Sequence, residues 1–405
     1  MARVYDGRTL AVLIPQFPSQ THAFFWNEIR YLESLGIEVH LFSTRHPIKS
    51  LVSHGWSDEA AARTTYLGTG SVPDKIGAGL RLPKSLAALA RHGLDGGSVK
   101  SLLMSAPAAR ALWQACAERG ITHIHAHSAA NSAMIAALCK LAGGPDYSVT
   151  LHGPMEDYGP AQAFKWAGAR FGIVITEVLK QQMSDRIGAA VPADLHVCPM
   201  GVDTDMFKPG APYTPWTGEG PFRLFCCARL NWVKGHEIAL AAMARVQARG
   251  VPVHLTIAGE DDDGGQGYRT VLEAAIQQSP VKDQVTLLGA VGSDVVVTHL
   301  QSAHGFVLAS HAEPLGVAYM EAMACGCPTI GTRAGGVPEL ITDGQDGLMV
   351  PPQDADALAE AILKIAKDPG LAQRLSEAGR ARILQAFHMR RSAQVIAEAG
   401  FGPPA

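Results

Sequence analysis

Gly305-Phe-Val-Leu-Ala309-Ser-His-Ala-Glu313-Pro-Leu-Gly316-Val-Ala-Tyr-Met-Glu321-Ala-Met-Ala-Cys-Gly-Cys-Pro328-Thr-Ile-Gly331 reads as strand, loop, helix, strand. Gly305–Ala309 and Pro328–Gly331 are apolar runs too short for helices, and Gly316–Ala324 has helical character. That is the repeating unit of a parallel α/β sheet. Glu313 stands in the loop just before Pro314, which would hold that loop. Glu321 lies on the helix that begins at Leu315 or Gly316. Gly316 lets backbone approach a ligand closely, and the loop's N–H groups lie where a helix N-terminus makes an anion site. Either Glu alone is read equally well as a helix cap or a surface acid. Together, two hydroxyl-accepting carboxylates around a phosphate-binding helix end suit a sugar nucleotide.

The same alternation extends in both directions. In the second half, strands are expected at Arg223–Ala228, Val253–Ala258, Gln284–Leu288 and Gly347–Val350. Helices are expected at His236–Gln247, Gly267–Gln278, Asp294–Ser302, Asp354–Lys367 and Leu371–Phe387. In the first half, strands are expected at Leu10–Pro15, Val39–Ser43, His123–His127, Ser148–His152, Phe171–Thr176 and His196–Pro199, with a helix over Thr21–Leu35 ended by Gly36. Between the halves, Pro199–Pro221 is rich in proline and glycine and has no periodicity, as a linker should be. A chain of 405 residues is too long for one core. The expected fold class is therefore α/β, with two doubly wound Rossmann-like domains: residues 1–199, a linker at 200–221, and 222–387. Such a pair places a ligand cleft at the carboxyl ends of the strands.

Composition removes several classes. A net charge of −3 argues against wholesale nucleic-acid binding. No apolar run reaches the roughly 18 residues of a membrane-spanning helix. The early run Thr9–Ile14 is short and lacks a small-residue cleavage site, so it reads as a strand rather than a signal peptide. The seven cysteines form no C-x-x-C pair, so reduced thiols and a cytosolic location are expected. Residues 45–120 follow the alternation least well. From Asp74 to Arg119 there are seven Lys/Arg against three Asp/Glu. Two readings of that stretch stay open: two surface helices with a solvated basic face, or a basic amphipathic surface on an anionic membrane.

Other residues carry chemistry. After the strand ending at Ala228 comes Arg229-Leu-Asn-Trp-Val-Lys234-Gly235. Arg offers a planar fork of donors and Lys a mobile point charge, a pair suited to a diphosphate leaving group. By itself it could be an ordinary charged loop. Gly335-Gly-Val-Pro338-Glu339 forms a tight turn, and its glycines are read as architectural. Glu339 could be a cap or a hinge contact. His152 stands at a strand end, where ligands bind in this architecture, and Asp157 follows five residues later. His123, His125 and His127 share one face of a strand. A metal site there lacks a nearby Cys or carboxylate in sequence, so no metal is assigned. Asp261-Asp-Asp263 is expected to face solvent.

Taken together, these segments resemble the family-4 retaining glycosyltransferases, which have the GT-B fold. The matching strings are Arg229-Leu-x-x-x-Lys234-Gly235, Glu313-Pro-Leu-Gly-x-x-x-x-Glu321-Ala-Met-Ala-Cys-Gly, Gly335-Gly-x-Pro-Glu339 and Pro199-Met-Gly-Val-Asp-x-Asp-x-Phe207. The resemblance implies that Arg229 and Lys234 hold a nucleotide diphosphate, Glu321 the ribose and Glu313 the donor sugar. Leu315 and Gly316, next to Pro314, would offer amides to the pyrophosphate, and Leu288 and Gly289 would lie near the base. His152 matches the family's sugar-contacting His. Asn27, Asp157 and His127 are the acceptor-side candidates. The helix 388–405 would pack back on the first domain.

The stretch Pro15–Ile29 looks like the branch that builds exopolysaccharide, capsule or colanic-acid-type repeats. Thr21-His22-Ala23 departs from that branch, no glycine-rich loop follows the first strand, and Ala228 replaces a common Gly. The implied partners are a nucleotide-diphosphate sugar (UDP or GDP) and a glycan or lipid-linked acceptor, with membrane contact through residues 74–119. The implied location is cytoplasmic, peripheral at the inner membrane face. No cofactor, required metal or covalent enzyme nucleophile is implied. A nucleotide-sugar epimerase or phosphorylase on the same fold, and a non-catalytic binding protein, are the rival readings. A dehydrogenase lacks its G-x-G-x-x-G.

Overall fold

The computed structural model describes residues 4–19, 23–47 and 54–403. The chain divides into two compact units. The first gathers the described parts of Met1–Ile48, Trp56–Pro199 and Arg390–Ala405; the second is built on Met200–Met389. The proline- and glycine-rich segment read as a linker thus clusters with the second unit from Met200 onward.

The first unit holds seven parallel strands: β1 Thr9–Gln16, β2 Glu38–Arg45, β3 Thr64–Tyr66, β4 His123–His127, β5 Asp146–Leu151, β6 Phe171–Val174 and β7 Leu195–Val197. Their order is β3-β2-β1-β4-β5-β6-β7. Leu10 to Ile14 of β1 are fully buried, as a central parallel strand covered on both faces requires. The helix Ala23–Ser34 lays Phe25, Trp26, Glu28, Ile29 and Leu32 on its buried side. It packs against the terminal helix Arg390–Phe401, which belongs to this unit. The first three residues of the expected Thr21–Leu35 helix fall partly outside the described residues.

Among the described residues of 45–120 are the two helices that one reading expected, Val72–Ala90 and Gly96–Glu118, together with a short helix, Ser57–Arg63, and the edge strand β3, which the periodicity did not show. Both long helices start on side-chain caps. Ser71 and Asp74 form a reciprocal capping box, and Asp95 accepts from the Ser98 N–H at 2.9 Å. Such caps satisfy helix N–H groups that otherwise lack partners.

The second unit holds β8 Phe222–Cys227, β9 Val253–Ala258, β10 Val285–Gly289, β11 Gly305–Val307, β12 Thr329–Thr332 and β13 Leu348–Val350, in the order β10-β9-β8-β11-β12-β13. In both sheets the chain runs outward from its first strand and then returns to that strand's other side. The reversal points are β1/β4 and β8/β11. Ligands bind at such points, beyond the carboxyl ends of the strands. The helix expected at Leu371–Phe387 begins two residues earlier, at Pro369, because Asp368 caps it through the Leu371 N–H at 2.8 Å and proline suits the first turn.

Candidate functional site

In the second unit, the loops after β8 and β11 meet at the reversal point. The loop after β8 ends in a short turn, Trp232–Lys234, followed by Gly235 at φ 62°. A Cβ on Gly235 would lie 2.1 Å from the Ala309 carbonyl oxygen, so only glycine lets this loop lie on the end of β11. His311 ties the loops together. Its N–H donates to the Val233 carbonyl at 2.7 Å, and its Nε2 lies 2.9 Å from Glu237 Oε1. This closure brings Lys234 Nζ to 2.6 Å from Glu313 Oε2, and both side chains are largely buried. The Ser310 hydroxyl also donates to that oxygen, at 3.3 Å.

The backbone of Glu313 is fixed from behind. The Gly336 N–H donates to its carbonyl at 3.0 Å, and a Cβ on Gly335 (φ 54°) would stand 2.1 Å from the same oxygen. The tight glycine turn read in the sequence is therefore the support of the Glu313 loop. Gly316, at φ 99°, directly precedes the helix Val317–Ala324. A Cβ there would meet the Tyr319 ring at 2.3 Å. Tyr319 donates its hydroxyl to the Leu308 carbonyl at 2.7 Å, and Thr332 donates to that of Ser310 at 2.6 Å. The loop, the helix start and the strand ends thus form one braced block. Leu315 is buried by its side chain, Pro314 is half-buried, and the first N–H groups of the helix lack intrahelical partners.

Glu321 lies on the second turn of this helix. No described residue donates to its carboxyl group, and desolvation pushes it up to about 8. Arg229 is half exposed and pairs with Asp262 at 3.2 Å. Leu288 and Gly289 are the last two residues of the edge strand β10, and the Gly289 carbonyl accepts from the Gly259 N–H at 2.8 Å. That corner also holds a half-buried ion pair of Glu260 with Arg269, for which the sequence gives no signal.

The expectation that Asp261–Asp263 faces solvent is wrong for Asp261. It is buried, and its carboxylate accepts the N–H groups of Asp263, Gly265, Gly267 and Arg269. Four amide donors hold its carboxyl below the usual range. This residue closes its own loop.

In the first unit, His152 directly follows β5, at the carboxyl end of the sheet. His127, at the end of β4, contacts it: His127 Nδ1 and His152 Nε2 are 3.2 Å apart. Asn27 is half-buried on the neighbouring helix, and Asp157 is exposed on the turn Met155–Tyr158. His123 and His125 are stapled to β5 instead. His123 Nε2 and His125 Nδ1 each lie 2.8 Å from the Ser148 hydroxyl, and His125 Nε2 is 2.9 Å from that of Thr150.

Two residues here escaped sequence reading. Glu28 is buried with Oε1 3.0 Å from His127 Nε2. Its signal was its place in the stripe Phe25, Glu28, Ile29, Leu32, an acid at helical spacing on an apolar face. Lys165 is buried and donates to the carbonyls of Ala129 and Tyr158 at 2.8 and 2.9 Å. Burial pushes its amine down to about 7.

Residues 217–382 match the family described as "Glycosyl transferases group 1", and residues 23–206 match "Glycosyltransferase Family 4". The chain is 28% identical over 298 residues to a GDP-mannose-dependent alpha-(1-6)-phosphatidylinositol monomannoside mannosyltransferase of Mycolicibacterium smegmatis, covering 69% of this chain and 76% of that one. It is 30% identical over 226 residues to a glycogen synthase of Mycobacterium tuberculosis, covering 56% and 52%. Among solved structures, it is similar to sucrose-phosphate synthase from Thermosynechococcus elongatus (TM-score 0.74, 21% identity, 96% and 98% covered). It is likewise similar to Anabaena HepE in complex with UDP (TM-score 0.73, 18% identity, 96% and 98% covered). Two parallel Rossmann-like sheets and these likenesses define a glycosyltransferase of GT-B fold. The chain belongs to the family-4 type of these enzymes.

Proposed function

We propose that this glycosyltransferase moves a hexose from a nucleotide-diphosphate sugar to a glycan or lipid-linked acceptor, with retention at the anomeric carbon. The observation that carries this reading is the Lys234–Glu313 contact of 2.6 Å beside the start of the helix Val317–Ala324. It sets a cation suited to phosphate against a carboxylate suited to sugar hydroxyls, at the β8/β11 reversal point. Glu321, with no donor among the described residues, is suited to accept from ribose hydroxyls.

The acceptor oxygen attacks the anomeric carbon on the face from which the diphosphate leaves. The C–O bond to phosphate breaks with its electron pair going to the diphosphate, and the acceptor proton passes to a phosphate oxygen. Arg229, Lys234 and the Leu315 and Gly316 amides stabilise the departing charge, where preorganised donors contribute most. Glu313 is assigned to the donor sugar, and the resemblance assigns His152 a sugar contact. The resemblance implies no metal in this step.

Both a UDP-sugar and a GDP-sugar fit this description. The relative named for GDP-mannose dependence supports the second, and the HepE complex with UDP supports the first. A thermal-shift screen of nucleotide sugars, followed by donor hydrolysis on the hits, tests the proposal. Release of nucleoside diphosphate is expected. Formation of an epimer with no diphosphate release refutes it.

We also propose a peripheral membrane contact at the inner face of the cytoplasmic membrane, in cell-surface polysaccharide synthesis. Among the described residues no helix is long and apolar enough to cross a membrane. The helix Val72–Ala90 nevertheless exposes Val72, Ile76 and Leu80 by 67, 65 and 81%, at four-residue spacing. Lys75 and Lys84 lie on the same helix. An apolar stripe flanked by lysines suits an anionic lipid surface. Failure to co-sediment with anionic liposomes at low salt removes this proposal.

A further inference from the structure

Among the described residues, Trp232 is the only Phe, Tyr or Trp whose side chain is exposed, with 63% of its surface open. Single exposed apolar residues are ordinary; the place of this one is not. It begins the turn Trp232–Lys234, which ends on the cation assigned to the diphosphate. Its ring lies 5.4 Å from that of His311, at an interplanar angle of 37°, and His311 stands two residues before Glu313. The indole therefore borders the same pair of loops that bring Lys234 and Glu313 together.

The turn under the ring is fixed on all sides. The Lys234 N–H donates to the Asn231 carbonyl and the Gly235 N–H to the Trp232 carbonyl, both at 3.1 Å. The His311 N–H holds the Val233 carbonyl at 2.7 Å. His311 Nε2 is in turn 2.9 Å from Glu237 Oε1, and the Tyr268 hydroxyl donates to Glu237 Oε2 at 3.0 Å. A surface set in place before binding loses less freedom when a ligand settles on it.

A pyranose ring carries axial C–H bonds on one face and hydroxyls around its rim. The C–H face packs on an indole while the hydroxyls keep their water, and Trp supplies that large, rigid area through only two side-chain torsions. Each part of the donor already has its group: Arg229 and Lys234 for the diphosphate, Glu321 for the ribose, Glu313 for the hexose, Leu288 and Gly289 for the base. The sugar ring still without a surface is the acceptor's. We infer that Trp232 is the stacking platform for a pyranose of the acceptor, and so a binding residue that sets acceptor specificity. The inference rests on the proposal that Lys234 and Glu313 hold the donor.

Iodide quenching of intrinsic fluorescence reports on this residue, because every other tryptophan is buried or half-buried. Trp232→Phe should remove the quenchable emission and so confirm its source. The probes are methyl α-D-glucopyranoside, methyl α-D-mannopyranoside and methyl β-D-galactopyranoside, each added to the full chain saturated with UDP or with GDP. At least one glycoside is expected to shield Trp232, and UDP or GDP alone to leave it open. With UDP-glucose or GDP-mannose as donor, the shielding glycoside should divert turnover from hydrolysis to transfer. Trp232→Ala should lower the ratio of transfer to hydrolysis roughly three- to tenfold, and Trp232→Phe should recover most of it. That ratio reads acceptor binding apart from any change in donor turnover.

Failure of all three glycosides to shield the ring overturns the inference. Shielding by UDP-glucose or GDP-mannose alone would give the ring to the donor hexose instead. A ratio unchanged in Trp232→Ala overturns it as well, and loss of co-sedimentation with anionic liposomes in that variant would then give the ring to a lipid surface. Should Trp232→Ala fail to fold, Trp232→Phe and the wild-type quenching still decide the matter. If the wild-type chain released no nucleoside diphosphate from any donor, the proposed reaction would fail, while quenching would still report whether a pyranose settles on Trp232.

Discussion

Replacing Lys234 by alanine separates the two roles the site assigns to it. The Lys234 and Glu313 side chains are 16% and 9% exposed and 2.6 Å apart. Removing one member of a buried pair costs about 3–5 kcal/mol, because the other charge is left uncompensated. This pair keeps some contact with water, so we expect about 2–3 kcal/mol. In a unit of this size that lowers Tm by about 4–12 °C. The same change removes a cation from the departing diphosphate, a loss on the order of 10²–10³ in rate. The double variant Lys234→Ala/Glu313→Gln relieves the buried charge and should regain most of the lost Tm. It should not regain activity, since the phosphate still lacks its cation. Differential scanning calorimetry and a donor-hydrolysis assay on the same preparations read both quantities. If activity returned together with stability in the double variant, Lys234 would be a structural counter-ion only. A wild-type rate for Lys234→Ala alone would sink the proposed role outright.

Glu321 should reveal itself through pH. Its carboxyl is held near 8 in the folded chain, above the ordinary 4.5. The folded state therefore binds the extra proton between those values, and stability falls as pH rises through that window. Glu321→Gln should raise Tm above pH 8 and leave it unchanged near pH 5, while weakening nucleotide binding in calorimetry; an equal effect at both pH values contradicts the assignment. Gly335→Ala forces a Cβ to 2.1 Å from the Glu313 carbonyl at φ 54° and should cost about 1–3 kcal/mol, with activity lost beyond the loss of fold; normal activity at a temperature where it stays folded would contradict the bracing role. Leu80→Glu should reduce co-sedimentation with anionic liposomes and leave donor hydrolysis unchanged, and unaltered sedimentation would move the contact elsewhere.

Much of this was legible because the second unit announces itself locally. Glu313, Gly316 and Glu321 lie within nine residues, and the strand, loop and helix that place them are contiguous. Lys234 required a partner from a loop 79 residues away, and its contact with Glu313 was not read in the sequence at all. The first unit hid more. Glu28 meets His127 across 99 positions, and a single Glu in a helix gives no hint of burial unless its apolar face is traced. Lys165 sits on a helix of six residues, too short for periodicity to show which side is inside. Asp261 was misread for a related reason: its burial comes from backbone amides of the loop it closes, and composition cannot show such folding-back.

Asp261 and Glu313 are buried and Glu321 is half-buried, and each carboxylate is managed differently. Asp261 is surrounded by four amides and held ionised, which is a purely local solution. Glu313 is given one lysine and one hydroxyl, so its charge is balanced while the lysine can still turn to a phosphate. Glu321 is given no donor among the described residues, and desolvation pushes its carboxyl up to about 8. A half-buried acid without a described partner costs stability that an amide side chain would spare. Such a departure from local consistency is expected where a residue serves a ligand rather than the fold. On this reasoning, binding of a ribose that donates two hydroxyls should draw the proton from Glu321. Calorimetry at pH 7 in buffers of different ionisation enthalpy should then show proton release on nucleoside diphosphate binding. Glu321→Gln should abolish that release, and a release unchanged in the variant would assign the proton to another group and leave Glu321 without its role.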